Sequence, residues 1–133
     1  MRLIAAALVG AALGVAPAPV SACGVALALT VDVSGSVDSH EYELQMGGLA
    51  AALRDGLVAD ALIAEKAAVM VVHWSGQSRQ SVVVPWTRVT SVSSADALAD
   101  AVEQVPRAWR NFSTGIGEAL AFTANQFGPV ADC

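Results

Sequence analysis

The sequence predicts an α/β layered domain whose sheet is mostly parallel, with one antiparallel strand at its edge. Three observations lead to this prediction. Residues 25–31 and 67–74 are continuous apolar runs without polar alternation, which is typical of strands covered on both faces. Segments with helical spacing of apolar residues alternate with or follow these runs. A polar turn at 75–78 leads into another β-type run, 81–86, which indicates a hairpin.

The first helix is predicted for residues 39–54, between the first two strands. Tyr42, Met46, Leu49 and Leu53 recur three or four positions apart there. This spacing places the four side chains on one helix face, so the helix should pack that face against the sheet.

Proline and serine residues indicate where the third strand and the second helix begin or end. Pro85 has no backbone N–H, so the third strand should lie at a sheet edge or end there. Ser93 or Ser94 can cap a second helix that runs to about Val105, where Pro106 stops it.

A third helix is predicted from Thr114 to about Phe127, ended by Gly128 and the proline after it. The order of elements is therefore strand, helix, strand, strand, helix, helix, which implies the layered α/β architecture.

The N-terminus has the pattern of an export signal. Arg2 gives the positive start, 3–15 the short apolar run, and 20–22 a small-residue cleavage site. Two prolines interrupt the run well short of the about 20 apolar residues that span a bilayer. We therefore divide the chain into a signal peptide, 1–22, and one exported region, 23–133, that is periplasmic or secreted. The alternative is a lipid anchor on Cys23, because residues 20–23 also fit the pattern that precedes a lipidated cysteine.

Charge and cysteine content restrict the function further. Without Arg2 the chain has six basic and twelve acidic residues, a net charge of −6, which argues against a nucleic-acid partner. Cys23 and Cys133 are the two cysteines, and disulfides persist in exported proteins. If these cysteines pair, they should pair with each other.

The most informative cluster follows the first strand, where ligands bind in open α/β sheets. Asp32, Ser34 and Ser36 are two residues apart, and a loop through Gly35 can turn one carboxylate and two hydroxyls toward one point. Oxygen ligands suit hard cations such as Mg²⁺ or Ca²⁺. The alternative is a turn in which the same side chains only cap backbone groups.

This D-x-S-x-S run at 32–36 resembles the metal-ion-dependent adhesion site motif of von Willebrand factor A domains. The order of elements over 25–127 is similar to that family too. Residues 114–120 resemble the T-x-x-G-x-A-L pattern of the family. The resemblance therefore implies that Thr114 is a fourth ligand. It further implies a Mg²⁺, Mn²⁺ or Ca²⁺ site with a position left for the carboxylate of a protein partner.

More narrowly, 32–42 together with 73–76 and 84–87 resembles an uncharacterised subgroup of exported bacterial proteins with a domain of unknown function. The family normally has a further acidic residue after a fourth strand, and Asp132 comes too early to match it. The resemblance therefore implies a von Willebrand factor A-like (Rossmann-like) fold whose C-terminal half is missing. In that fold, Cys23 and Cys133 precede neighbouring strands, which implies their pairing in a disulfide.

A serine hydrolase and a metal-free remnant are the two alternatives to a metal-dependent binding module. A serine hydrolase would use Ser34 or Ser36 with His40 or His73 as base, but no G-x-S-x-G elbow is present and His73 lies in an apolar strand. We expect no enzyme activity. A metal-free structural or non-functional remnant is the second alternative.

Two further groups of residues are open to more than one interpretation. Arg107, Arg110 and Asn111 either frame the metal site or only solvate a loop. The tryptophans form either a carbohydrate-stacking surface or core packing, and core packing is the more common use of such residues. They are Trp74, Trp86 and Trp109.

Overall fold

The computed structural model describes residues 23–133, so the predicted signal peptide lies outside the described residues. The sheet has three strands in the order β1, β2, β3. They span Ala26–Asp32, Ala68–Trp74 and Gln80–Arg88. β1 pairs with β2 in parallel and β2 pairs with β3 antiparallel. The predicted α/β class, with its antiparallel edge strand, is confirmed.

The first helix, α1, spans Ser39–Arg54 as predicted. Its start is fixed by a capping box. The Asp38 carboxylate accepts the Glu41 N–H at 2.8 Å, and the Glu41 carboxylate accepts the Asp38 N–H at 2.7 Å. Because α1 begins only three residues after Ser36, this rigid start also fixes one end of the loop that follows β1.

A second helix, α2, spans Gly56–Ala64 and was not predicted. Asp55 caps it by accepting the N–H groups of Leu57 at 3.0 Å and Val58 at 3.3 Å. The helix is apolar on most sides, and Leu57 is 84% exposed, so it shows no polar face from which helical spacing could be recognised.

Strand β3 continues beyond the predicted end, through Pro85 to Arg88. The proline is tolerated because β3 pairs only with β2 among the described strands, so its outer side needs no donor. The pairing is irregular between Val69 and Val72 of β2. The edge position was predicted correctly, and the alternative that the strand ends at Pro85 is wrong.

The last two helices differ from prediction at their ends. α3 spans Val92–Glu103, and its cap is Ser91 rather than Ser93 or Ser94. Ser91 accepts the Ser94 N–H at 3.2 Å, while the Ser94 hydroxyl accepts the Ser91 N–H at 3.0 Å. Ser94 is thus the return partner of the capping box.

α4 spans Ile116–Ala124, with Gly115 at its N-cap. Thr114 is therefore in the loop before the helix, where the prediction had made it the first helical residue. A short 3₁₀ turn follows at Gly128–Val130.

The main core lies between one face of the sheet and helices α1 and α3. Its largest members are completely or almost completely buried: Met46, Leu53, Val69, Val71, Leu98 and Val102. A smaller cluster joins Cys23, Ala68 and Val130, with Trp86 and Phe127 against it. The Trp86 ring meets Phe127 edge-on at 5.1 Å, and its N–H donates to the Gln126 carbonyl at 2.7 Å. Trp86 is therefore used in packing.

A disulfide joins Cys23 and Cys133, which are 110 residues apart in sequence. It lies at the amino-terminal edge of the sheet, beside the start of β1. The residue after Cys23 is held there too, since Gly24 donates its N–H to the Glu65 carbonyl shortly before β2. The bond connects the start of β1 to the end of the described chain.

Replacing both Cys23 and Cys133 with serine should lower the free energy of unfolding by about 4 to 5 kcal/mol, the chain-entropy value for a loop of this length. Urea denaturation of the double variant and of the oxidised wild type measures the difference. Wild type treated with reductant is the control and should match the variant. Equal denaturation midpoints for the oxidised wild type and the variant, or free thiols in the untreated wild type, would contradict the disulfide.

Candidate metal centre

The loop after β1 is held at its start by the sheet. Val33 donates its N–H to the Trp74 carbonyl at 2.9 Å, which extends the pairing of β1 with β2 by one residue. The Asp32 carboxylate accepts the Ser34 N–H at 2.7 Å, so it folds over the loop in an Asx turn. The Asp32 side chain is therefore held in place before any ligand binds.

Three hydroxyls meet above this loop. The Ser34 and Ser36 oxygens are 3.2 Å apart, and the Thr114 hydroxyl donates to the Ser34 oxygen at 3.2 Å. Ser34 is fully buried, whereas Ser36 and Thr114 are exposed. We refer to Ser34, Ser36 and Thr114 as the hydroxyl cluster. The structure thus brings together the residues of the two separate motifs, 80 positions apart.

The donors of this site are unusual for a metal centre because only one of them, the Asp32 carboxylate, is charged. In the part of the chain that the structure describes, no three of its His, Cys, Asp and Glu side chains form a group that could hold a metal ion. The hydroxyl cluster with Asp32 offers only oxygen atoms, however, and such a set fits a hard divalent cation rather than Zn²⁺ or Cu²⁺.

The segment from 106 to 115 is bound to both neighbouring loops. Gly35 donates its N–H to the Phe112 carbonyl at 2.8 Å, and Gly115 donates its N–H to the Ser75 carbonyl at 2.8 Å. The Ser75 hydroxyl donates to the Ser113 carbonyl at 3.1 Å. These three bonds fix Thr114 in position over the loop that follows β1.

Two glycines allow this close approach. A Cβ atom on Gly76 would lie 2.5 Å from the Ser113 hydroxyl, and one on Gly35 would lie 3.3 Å from the Phe112 carbonyl oxygen. Any side chain at Gly76 would therefore push the Thr114 segment away. Both glycines follow a predicted strand closely, which is the sequence signal that could have indicated contact between these loops.

Arg107 holds the carbonyl side of the same loop. Its Nη2 donates to the carbonyls of Val33 at 3.1 Å, Ser34 at 2.8 Å and Val37 at 2.6 Å. The Ser34 carbonyl also accepts the Val37 N–H at 3.1 Å, so Arg107 adds a second, charged donor to this turn. Of the two interpretations of the arginines, the structure favours framing of the site for Arg107. Arg110 instead lines a cleft of about 260 Å³ beside α1, together with Arg107, Tyr42 and Glu43.

His73 lies in a layer beneath Arg107. It is fully buried, and within the described chain neither ring nitrogen has a hydrogen-bond partner. Its ring meets Tyr42 edge-on at 5.6 Å, and the Arg107 guanidinium is 5.8 Å from the Tyr42 ring centre. Burial, and next the positive charge of Arg107, lower the pKa of His73 to about 4. Burial also raises the pKa of Tyr42, whose hydroxyl donates to the Val105 carbonyl at 2.7 Å.

The structure does not assemble the serine–histidine pair that a hydrolase would need. Ser34 bonds to Ser36 and Thr114, and among the described residues neither His40 nor His73 forms a hydrogen bond to either serine. His40 is exposed at the start of α1. A second cavity, of about 370 Å³, is apolar and lies between the start of β1 and α2, away from the site.

The element order and the sheet give the chain a layered α/β fold like that of von Willebrand factor A-like structures. A family model described as "Protein of unknown function (DUF1194)" matches residues 22–133. The chain therefore belongs to the DUF1194 family. A search of curated proteins finds no match.

Solved structures share the fold at low sequence identity. The conserved hypothetical protein BatB from Bacteroides thetaiotaomicron is 19% identical with a TM-score of 0.55, over 80% of this chain and 47% of that one. An aerotolerance-related membrane protein from Bacteroides fragilis is 20% identical with a TM-score of 0.52, over 81% and 49%. The vWF domain of the type V pili tip protein Mfa5 from Porphyromonas gingivalis is 9% identical with a TM-score of 0.50, over 80% and 33%.

The chain thus spans about half the length, or less, of these structures. Identities at this level show the fold alone. In the described region, no helix has the length and apolar character needed to cross a membrane.

The buried His73 predicts a loss of stability in acid. Its pKa is about 4 in the folded chain and about 6.5 when unfolded, so between these values the unfolded chain binds more protons. The free energy of unfolding should therefore fall by about 2 kcal/mol from pH 7 to pH 5 through this group. Urea denaturation at both pH values measures the loss. The His73→Leu variant is the control and should lack this component, whereas an equal fall in both proteins would contradict the assignment.

Proposed function

We propose that this chain is an exported protein-binding module of the adhesion type, and that Asp32 and the hydroxyl cluster hold a divalent cation. The observation that supports the proposal most strongly is that the Ser36 and Thr114 hydroxyls each lie 3.2 Å from the Ser34 hydroxyl, next to a carboxylate already oriented by the loop backbone. Mg²⁺ is the expected ion, with Mn²⁺ or Ca²⁺ as alternatives.

A bound cation would supply a Lewis-acidic position for a carboxylate oxygen of a protein partner. The residues of the chain hold and orient that position. Arg107 engages three carbonyls of this loop, so we assign the cation to the hydroxyls and to Asp32. The hydrogen bond from Gly35 to the Phe112 carbonyl holds the 106–115 segment, which carries Thr114, against the loop after β1. Such preorganisation reduces the entropy that is lost on binding.

The fold neighbours are compatible with this role. One of them is by its own description the vWF domain of a pilus tip protein, so the same fold occurs there in a surface structure. For the present chain, an adhesion-type role and an extracytoplasmic location follow as part of the proposal. A lipid on Cys23, the alternative considered from the sequence, would compete with the disulfide, because the Cys23 sulfur is bonded to Cys133 in the structure.

We infer binding rather than catalysis, because Ser34 and Ser36 are hydrogen-bonded within the hydroxyl cluster and the buried His73, whose pKa is lowered to about 4, forms no hydrogen bond to either of them. The competing function is a metal-free structural role. It is favoured by one observation, which is that the three hydroxyls satisfy one another by hydrogen bonds without any ion.

The Asp32→Ala variant should abolish the binding of Mg²⁺ and Mn²⁺, because it removes the only charged donor of the site. Titration calorimetry on the secreted protein measures the binding, and circular dichroism checks that the variant is folded. Asp60→Ala is the matched control, since it removes an exposed carboxylate of α2, and it should bind like wild type.

The same titrations distinguish the hydroxyl cluster from other sites and from a metal-free role. Weakened binding in Ser36→Ala and Thr114→Ala would support the hydroxyl cluster as the ligand set. Unchanged binding in Asp32→Ala would rule this site out. Absence of any binding by the wild type would establish the metal-free alternative.

A further inference from the structure

The arginines of this acidic chain are divided between the two edges of the sheet. At the amino-terminal edge, Arg54 pairs with carboxylates of α3, and Arg88 pairs with Asp132 at 2.7 Å. At the carboxyl edge, Arg79, Arg107 and Arg110 have no ion pair with any described residue. Acidic residues outnumber basic ones in the chain, so the absence of pairs at one edge is not explained by a shortage of carboxylates.

Carboxylates are present near this edge, but several are engaged by backbone groups. Asp32 accepts the Ser34 N–H, and Asp38 and Glu41 accept each other's N–H groups in the capping box. Glu43 lines the cleft beside Arg110 without forming an ion pair with it. Glu118 lies close to Gly115 at the start of α4. Arg107 is engaged by loop carbonyls, whereas Arg79 and Arg110 have no carboxylate partner among the described residues, which leaves these two cations for an external acid.

Arg79 is held against an aromatic ring beside the hydroxyl cluster. Its guanidinium carbon lies 4.4 Å from the centre of the Phe112 ring, in a cation–π contact. Phe112 is 42% exposed, and its carbonyl accepts the Gly35 N–H between the two serines of the hydroxyl cluster. The stacked pair therefore lies directly beside the cluster and is held to the same loop.

The turn before β3 fixes Arg79 from the other side. Ser75 donates its N–H to the Arg79 carbonyl at 2.9 Å, and Arg79 donates its N–H to the Gly76 carbonyl at 3.1 Å. Ser78 adopts a left-handed conformation with φ of 59°, which disfavours a residue with a side chain. The guanidinium also donates to the Ser78 carbonyl at 3.2 Å. The hairpin turn between β2 and β3 therefore holds Arg79 in place beside Phe112.

We infer that the Arg79–Phe112 pair is a second contact point, which binds one carboxylate of an acidic segment in the partner protein. The cation held at the hydroxyl cluster binds another carboxylate of the same segment. The inference rests on the proposed function and adds the class of partner, a segment with at least two acidic side chains. A stacked guanidinium presents its N–H edge outward, and this edge matches the two oxygens of a carboxylate. The exposed part of the Phe112 ring offers apolar contact to the neighbouring residue of that segment.

An acidic protein segment fits this surface better than nucleic acid does. The two would compete for the same guanidinium groups, but the net charge of the whole chain is −5, which repels a phosphate backbone over its length. A short acidic segment meets only the local field at the carboxyl edge, where the unpaired arginines are concentrated.

The test uses fluorescein-labelled hexa-aspartate peptide, with hexa-serine as the neutral control, and measures fluorescence anisotropy with the secreted protein in Mg²⁺. Wild type should bind hexa-aspartate at least tenfold more tightly than hexa-serine. Arg79→Gln should weaken that binding by fivefold or more. Arg88→Gln is the matched control at the opposite edge and should leave the affinity within twofold of wild type. Phe112→Leu, which removes the π-face but keeps an apolar side chain, should weaken binding two- to fivefold.

The outcomes separate this inference from the proposed function. If Asp32→Ala abolishes peptide binding while Arg79→Gln behaves like Arg88→Gln, the metal site stands and the second contact is refuted. If Asp32→Ala and chelator have no effect but Arg79→Gln still weakens binding, the second contact stands and the metal site fails. No measurable binding of hexa-aspartate, or tighter binding of a hexameric oligodeoxynucleotide, would overturn the inference.

Discussion

The hydrogen bonds from the Arg107 guanidinium to the loop after β1 are the interaction on which the rest of the site depends. One side chain donates to three carbonyls within five residues of that loop, those of Val33, Ser34 and Val37. A hydrogen bond to a charged group contributes about 1.5 to 3 kcal/mol. The three bonds share the two N–H groups of Nη2, so at least one N–H is divided between carbonyls. Because Arg107 begins the segment that carries Phe112 and Thr114, the same contact brings the two halves of the hydroxyl cluster together.

The two edges of the sheet have different physical roles. At the amino-terminal edge, the Cys23–Cys133 disulfide and the ion pairs of Arg54 and Arg88 connect elements that are distant in sequence. At the carboxyl edge, loops are joined mainly by backbone hydrogen bonds and by glycines that permit close contact. The first arrangement stabilises the fold, and the second gathers the hydroxyl cluster, Asp32 and three arginines at one edge of the sheet.

The sequence predicts the elements whose signals are local. The apolar runs of β1 and β2 and the periodic face of α1 were sufficient to place these elements within a residue or two. Helix α2 was missed because its apolar residues surround most of the helix, which leaves no stripe to recognise. The early start of α3 depends on the capping box of Ser91, which displaces the cap that Ser93 or Ser94 was expected to provide.

The site was predictable only in part for a related reason. Asp32, Ser34 and Ser36 are adjacent in sequence, so their convergence could be expected from the loop itself, whereas Thr114 was found through resemblance to a family. The role of Arg107 depends on contacts across 70 to 74 residues, and no local pattern encodes such contacts. The Arg79–Phe112 stack is likewise a tertiary contact between two loops that the sequence shows only as polar segments.

The central claim is that these loops converge on one cation-binding point, and paramagnetic broadening by Mn²⁺ in amide-resolved NMR spectra tests it most directly. Substoichiometric Mn²⁺ should broaden the amide signals of residues 32–36 and of Thr114 first, and together, because they surround the same ion. Broadening confined to exposed carboxylates elsewhere, such as Asp60 or Asp100, with the loop signals unaffected, would contradict the account.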